Sequence, residues 1–352
     1  MYKITTPEKY FNIISFSSVI LIDLIHHFCY NLIVNLIIGD IMITFLIIAA
    51  VIILYTLQSL FTRMYTDHYP GDKGLTTPVF AVVCGLIVTV VSFIFSGFTF
   101  NCGWITILLG LLNAAVLYGY DAFIIKASAT GPYSILMTFS LTGGIVVPAI
   151  VSWLFFEVPF SWVQLISILI IFASVLLISK KEEDEENKEE FKKHRTFFLI
   201  ICTLLGLANG TYGVLLNTQQ EITGVLEKEE MVAITFMGAA LISLVQILVK
   251  EKKNALAAFK QTKQSLVYLL LTALVSALAI NALVIALEGI DTTLVYTFDN
   301  AGVLLLSAIA SAILFKEKLS KINIIGCIIM SIGLICMSQY VNIESWIAKL
   351  FA

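Results

Sequence analysis

Charge is what this 352-residue chain has least of: Asp, Glu, Lys and Arg make up 13% of it, against 59% hydrophobic residues. Soluble domains carry about 25% charged residues, so a water-soluble globule is excluded. Chemistry-bearing motifs are missing as well. There is no GxxxxGK[ST] for nucleotide phosphates, no HExxH and no GxSxG elbow, which removes ATP-driven pumping by this chain alone, zinc-peptidase chemistry and serine hydrolysis. The six cysteines (Cys29, Cys84, Cys102, Cys202, Cys327 and Cys336) form no CxxC and read as small apolar packing residues. His68 and His194 stand singly, and His26 with His27 lacks a third ligand of suitable spacing. No metal and no cofactor is expected. Strict alternation of apolar and polar residues is also absent from the apolar runs, which excludes a barrel. The net charge of −3 sits in loops and implies no nucleic acid.

What the chain does have is length of apolar run. Ten segments approach the roughly 20 residues that cross a bilayer as helix: 42–63, 77–97, 104–126, 131–156, 161–179, 196–216, 230–250, 264–287, 291–315 and 321–340. Backbone groups in lipid must pair internally, so these runs are helices and the fold class is an all-α polytopic transmembrane bundle. A charged stretch, 180–195, divides the runs into a first set (42–179) and a second (196–340) and reads as a solvated linker. Beyond the last run, Trp346, Ile347, Leu350 and Phe351 share one helical face, so 341–352 suits a tail lying in the membrane interface. Residues 1–41 admit two readings. Their apolar stretch, interrupted by Asp23, His26, His27, Asn31 and Asn35, is an eleventh helix, or translation starts at Met42 behind a purine-rich coding of Gly39 and Asp40.

The two sets repeat. Shifting the chain by 159 positions aligns 131–179 with 290–338 without a gap and pairs Thr138 with Thr297, Phe139 with Phe298, Gly143 with Gly302, Ser152 with Ser311, Phe156 with Phe315 and Ser161 with Ser320. With a one-residue slip, Asp121 and Ala122 meet Asn281 and Ala282. Five helices per unit inverts the second copy, so equivalent loops should carry opposite positive bias. They do: 157–160 has no Lys or Arg, whereas its counterpart has Lys316, Lys318 and Lys321. Except for Lys228 and Lys349, every basic residue from Arg63 onward falls on one side, taken as cytoplasmic, which puts Met42 and the C-terminus outside.

These segments resemble the EamA-type members of the drug/metabolite transporter superfamily. The resemblance is carried by Pro148 and Glu157 in the first copy and by Glu317, Gly326 and Gly333 in the second, over roughly residues 42–340. Ser167, Ser174 and Ser307 depart from the pattern. The family's common orientation, with its amino terminus inside, is opposite to the one the charge count indicates. What the resemblance implies is export or exchange of small metabolites without ATP.

A charge in the bilayer core is costly, so the intramembrane carboxylates are the site candidates. Asp299 lies eight residues into the ninth run, about 12 Å along the helix, with Asn300 beside it. Asp121 follows Tyr118 and Tyr120. Across the repeat these acids correspond to Asn281 and Ser140, and an interfacial site would collect all four. Asn209 and Tyr212, interleaved with Gly210 and Gly213, are lesser candidates, the glycines reading mainly as packing. Either acid binds a cationic group or cycles a proton; the bland alternative is a carboxylate satisfied by neighbouring hydroxyls or amides. Lys126 reads as snorkelling to the interface, Glu157 and Glu317 as edge residues, and Tyr69 to Gly74 as a turn. The expectation is a secondary transporter of small organic metabolites in a bacterial cytoplasmic membrane, not an enzyme, with a small-molecule solute and lipid as partners and a homodimer left open. The alternative is an intramembrane enzyme or lipid-processing factor using Asp121 and Asp299.

Overall fold

The computed structural model describes residues 42–155, 161–178, 188–224, 227–289, 292–314 and 321–351; these are helical apart from short turns, with no strand among them. The chain divides into two compact units, Met1–Leu46 and Ile47–Ala352. In the first, described residues 42–46 are helical. The packing and the cavity considered below belong to the second.

Helix α1 spans Met42–His68, α2 Thr76–Phe95, α3 Trp104–Thr130, α4 Tyr133–Phe155 and α5 Trp162–Ile178. Then come α6 (Lys188–Thr223), α7 (Lys228–Glu251), α8 (Lys263–Gly289), α9 (Thr292–Leu314), α10 (Lys321–Ser338) and α11 (Tyr340–Phe351). Each of the ten apolar runs falls on one of α1 to α10. Among the described residues seven helices are long and apolar enough to cross a membrane, or eight if α10 and α11, bent by 78° at their junction, count as one span; Trp162–Ile171 and Phe298–Leu314 are shorter apolar helices. Helix α6 begins at Lys188, so the end of the charged stretch expected as linker is helical. The extension 1–41, Glu157, Glu317 and residues 180–187 lie outside the described residues.

Close packing in lipid needs small residues, because helices gain no hydrophobic advantage by leaving acyl chains. The sequence supplies them at the crossings. Helix α2 packs on α7 and α8, α3 on α6 and α7, α4 on α6 and α9, and α10 on α5 and α9. At the α4–α6 crossing a Cβ on Gly143 would lie 2.0 Å from the Gly206 carbonyl oxygen, and one on Gly210 would lie 2.3 Å from the Gly143 carbonyl oxygen. At the α5–α10 crossing Gly333 meets Ile170 and Ile171. Ser167 and Ser174, where the family pattern has glycine, are fully buried there because each hydroxyl donates to a carbonyl of its own helix, Val163 and Ile170, at 2.7 Å. A serine satisfied in this way packs as a small residue.

Polar ties join the connections. Lys250 Nζ donates to Asp72 Oδ2 at 2.7 Å, and Tyr69 donates to the Ala258 carbonyl at 3.1 Å, so the α1–α2 turn sits beside the α7–α8 connection. The hydrogen bond from Lys250, then that from Gly74 N–H, hold the exposed Asp72 carboxyl below its ordinary range. Burial pushes the Tyr69 phenol up to about 12. Elsewhere Glu227 accepts from Gly103 N–H at 3.0 Å and from the Thr106 hydroxyl, tying the α2–α3 turn to the start of α7. Lys126 is exposed near the end of α3, where a long side chain reaches the interface.

Candidate functional site

A cavity of about 140 Å³ lies among α1, α3, α4, α6, α7, α8 and α9. Helical periodicity decides which residues reach it. Helix α1 contributes Tyr55, Gln58, Ser59 and Thr62, spaced i, i+3, i+4 and i+7 along one stripe. Helix α9 presents Tyr296, Asp299, Asn300 and Val303, and α4 presents Met137, Ser140, Leu141 and Gly144, at the same spacing. Tyr120 of α3, Asn209, Tyr212 and Gly213 of α6, Phe236 of α7 and Ser276 of α8 complete the polar and aromatic wall.

Six of the eight candidate residues border this space together: Asp299, Asn300, Tyr120, Ser140, Asn209 and Tyr212. Asp121 and Asn281 do not. Asp121 is buried, but it lies about 100° round α3 from Tyr120, which faces the cavity, and it sits near Cys84 of α2. Asn281 stands likewise next to Ile280, a lining residue of α8; its amide donates to Ser92 of α2 at 3.1 Å and to the Ala277 carbonyl at 2.8 Å. The site therefore does not collect the four groups expected of it. One step of helical phase turns the slipped pair toward α2 in both units. Gly210 packs against α4 as expected, while Gly213 borders the cavity and has nothing within 4 Å of its Cβ direction.

The asparagine amides in the wall are already committed. Asn209 Nδ2 donates to the Ser140 carbonyl at 2.9 Å and Asn300 Nδ2 to the Tyr296 carbonyl at 2.6 Å. Gly144 makes room for both: a Cβ there would lie 2.8 Å from Asn209 Nδ2 and 3.2 Å from Asn300 Oδ1. Three wall groups stay without a hydrogen-bond partner, namely Asp299 Oδ1 and the hydroxyls of Tyr212 and Tyr296. Orphaned polar atoms in a buried position cost about 1–3 kcal/mol each and mark a place where a ligand, a water or a proton completes the structure. Among the described residues no Lys, Arg or His lines the cavity. Arg63, one residue beyond Thr62, places its guanidinium 5.7 Å from the ring centroid of Tyr133, whose hydroxyl bonds Ser59. Among the described residues, no group of three His, Cys, Asp or Glu is placed to hold a metal.

The sequence reading missed Tyr55, Gln58, Ser59, Thr62 and Tyr296. The first four carried a signal, since their spacing draws one polar stripe down an otherwise apolar run.

Comparison with known proteins adds the family. The model of the EamA-like transporter family matches residues 196–339, from α6 to α10. A crystal structure described only as that of a protein is 14% identical, with a TM-score of 0.56, over 83% of this chain and 95% of that one, and shares the fold. No curated protein matches. Residues 196–339 of this multi-pass helical bundle are thus similar to the EamA-like transporter family, a family of the drug/metabolite transporter superfamily.

Proposed function

We propose that the chain is a secondary transporter which moves small organic metabolites across the bacterial cytoplasmic membrane by alternating access, as two inverted five-helix units rocking about the cavity and coupled to protons through Asp299. One observation carries the reading: the cavity walls obey the repeat. Tyr296, Asp299, Asn300 and Val303 of α9 stand 159 positions after Met137, Ser140, Leu141 and Gly144 of α4, the shift at which the sequence aligns with itself. The lining residues of α6, Asn209, Tyr212 and Gly213, stand 154 positions after Tyr55, Gln58 and Ser59 of α1. Packing follows the same relation. Gly143 abuts Gly206 of α6, while its partner Gly302 abuts Ile52 of α1, 154 positions before Gly206. Helix α2 on α8 is matched by α7 on α3, and the α2–α7, α4–α9 and α5–α10 pairs join corresponding helices.

A pseudo-two-fold axis through those three pairs would put the cavity at the repeat interface, where secondary transporters bind their cargo. The symmetry is chemically broken, since Ser140 stands where the second unit has Asp299 and Leu141 where it has Asn300. Among the described residues a single carboxylate lines the cavity, so one proton suffices to switch its charge. The enzyme reading draws less support, because Asp121 is not among the residues lining the cavity that Asp299 borders.

The test is solute flux in vesicles reconstituted with the pure protein, using substrates found by profiling metabolites of cells lacking and overproducing it. Transport without chemical conversion, dependent on a pH gradient, is the expected result. Retention of the pH dependence by Asp299→Asn would refute the coupling, and product formation would refute transport in favour of catalysis.

A further inference from the structure

We propose that the cavity takes a small organic cation, an amine or quaternary ammonium, held by the Asp299 carboxylate inside a cage of aromatic rings. The assignment names the substrate class of the site above and rests on that reading. Tyr55, Tyr120, Tyr212, Tyr296 and Phe236 come from five different helices and border the same space as Asp299. Aromatic faces are negative, so rings arranged around a volume favour a cation in it over a neutral or negative group. Asp299 is 6% exposed and its Oδ1 has no hydrogen-bond partner. Among the described residues no cationic side chain lines the cavity to compensate it, and the Arg63 guanidinium lies over the Tyr133 ring. An anion entering this space would meet a carboxylate and phenol hydroxyls, with no cationic side chain among the described lining residues to offset the repulsion. A neutral solute would leave an ionised Asp299 unmatched in a water-poor place. An organic cation supplies the charge that a proton otherwise supplies to the carboxylate. At about 140 Å³ the space suits a compact ammonium and is below the roughly 300–1,000 Å³ of clefts that hold drug-sized ligands.

Asp299 then carries a proton or the substrate, not both. The ammonium leaves the carboxylate as a proton arrives, one positive charge for one, and the reverse step reloads the site. The titratable groups facing Asp299 are the phenols of Tyr55 on α1, Tyr120 on α3 and Tyr212 on α6, with Tyr296 on its own helix. The lining residues of α4, α7 and α8 are not titratable, and Asp121 and Arg63 lie outside the wall.

The experiment uses permanently charged probes, which do not cross bilayers as free bases: tetramethylammonium, choline and phenyltrimethylammonium, with 3,3-dimethylbutan-1-ol as the neutral isostere of choline. Binding to the pure full-length chain is measured by calorimetry at pH 5 and pH 8, and probe-driven proton movement is followed with a pH dye inside vesicles. At least one ammonium is expected to bind, more weakly at pH 5, while the neutral isostere binds at least about tenfold less well. Asp299→Asn should weaken binding more than about thirtyfold. Tyr296→Leu should weaken it about three- to tenfold, with Tyr296→Phe close to the parent because the ring remains. Failure of all three ammonium probes to bind at either pH overturns the proposal, as does equal binding of the isostere or undiminished binding by Asp299→Asn. Ammonium binding without any flux would leave the cation site standing and remove the transport reading. Flux of a labelled sugar or carboxylate without ammonium binding would do the opposite.

Discussion

Asp121 and Asp299 are the same side chain at nearly the same burial, 8% and 6% exposed, yet of the two only Asp299 lines the cavity. Burial of an acid in a lipid-embedded bundle therefore does not by itself assign a role. What separates the two is helical phase. Tyr120 and Asp299 turn inward, and Asp121, one residue on from Tyr120, turns toward α2. The largest expected effect tests this separation directly. Asp299→Asn should lower pH-gradient-driven transport more than about thirtyfold with helix content unchanged by circular dichroism. Asp121→Asn should change the rate less than about threefold and act on thermal stability instead. An equal loss in both variants would break the comparison and return Asp121 to the site.

The same contrast runs through the packing of the two units. Gly143 and Gly302 occupy equivalent places, but a methyl group on Gly143 would strike backbone at 2.0 Å, whereas one on Gly302 would meet only the Ile52 side chain, Cδ1 at 2.6 Å and both Cγ atoms at 2.9 Å. Backbone cannot give way without moving a helix, while an isoleucine rotamer can. Gly143→Ala should thus cost about 1–3 kcal/mol of stability by overpacking, and Gly302→Ala less than about 1 kcal/mol. Thermal unfolding in detergent, followed by intrinsic fluorescence, reads both. A reversed order would mean that the α1–α9 crossing is the tighter one.

Much of this was legible in the residues before any coordinates. Apolar runs of helical length located α1 to α10, because a lipid environment leaves the backbone no other way to pair. The 159-position shift that aligned Gly143 with Gly302 also relates the lining residues of α4 and α9. Depth along the helix singled out Asp299. Orientation about the helix axis was harder to read. In a run that is apolar all round, no polar face fixes which side looks inward, so correspondence across the repeat groups Asp121 and Asn281 with Asp299 and Ser140 without fixing their direction. The α1 stripe was passed over for a related reason: Tyr55, Gln58, Ser59 and Thr62 bear no charge, and neutral polar groups are tolerated in helices by bonding their own carbonyls, as Thr62 does with Gln58 at 2.8 Å.

A third acid sets the lower end of the scale. Asp72 lies in the α1–α2 turn, accepts from Gly74 N–H at 2.9 Å and from Lys250 at 2.7 Å, and is exposed to solvent. Those bonds hold its carboxyl below the ordinary range. A depressed folded value means that the contribution is fully present above the unfolded value of about 3.9 and disappears as pH falls through the folded one. Asp72→Asn should therefore lower the unfolding temperature slightly at pH 7, by less than either glycine change. The difference should shrink in high salt, because exposed pairs are screened, and vanish in acid where the wild-type carboxyl is itself protonated. A deficit that persisted unchanged below pH 3 would show that the turn depends on the shape of the side chain and not on its charge.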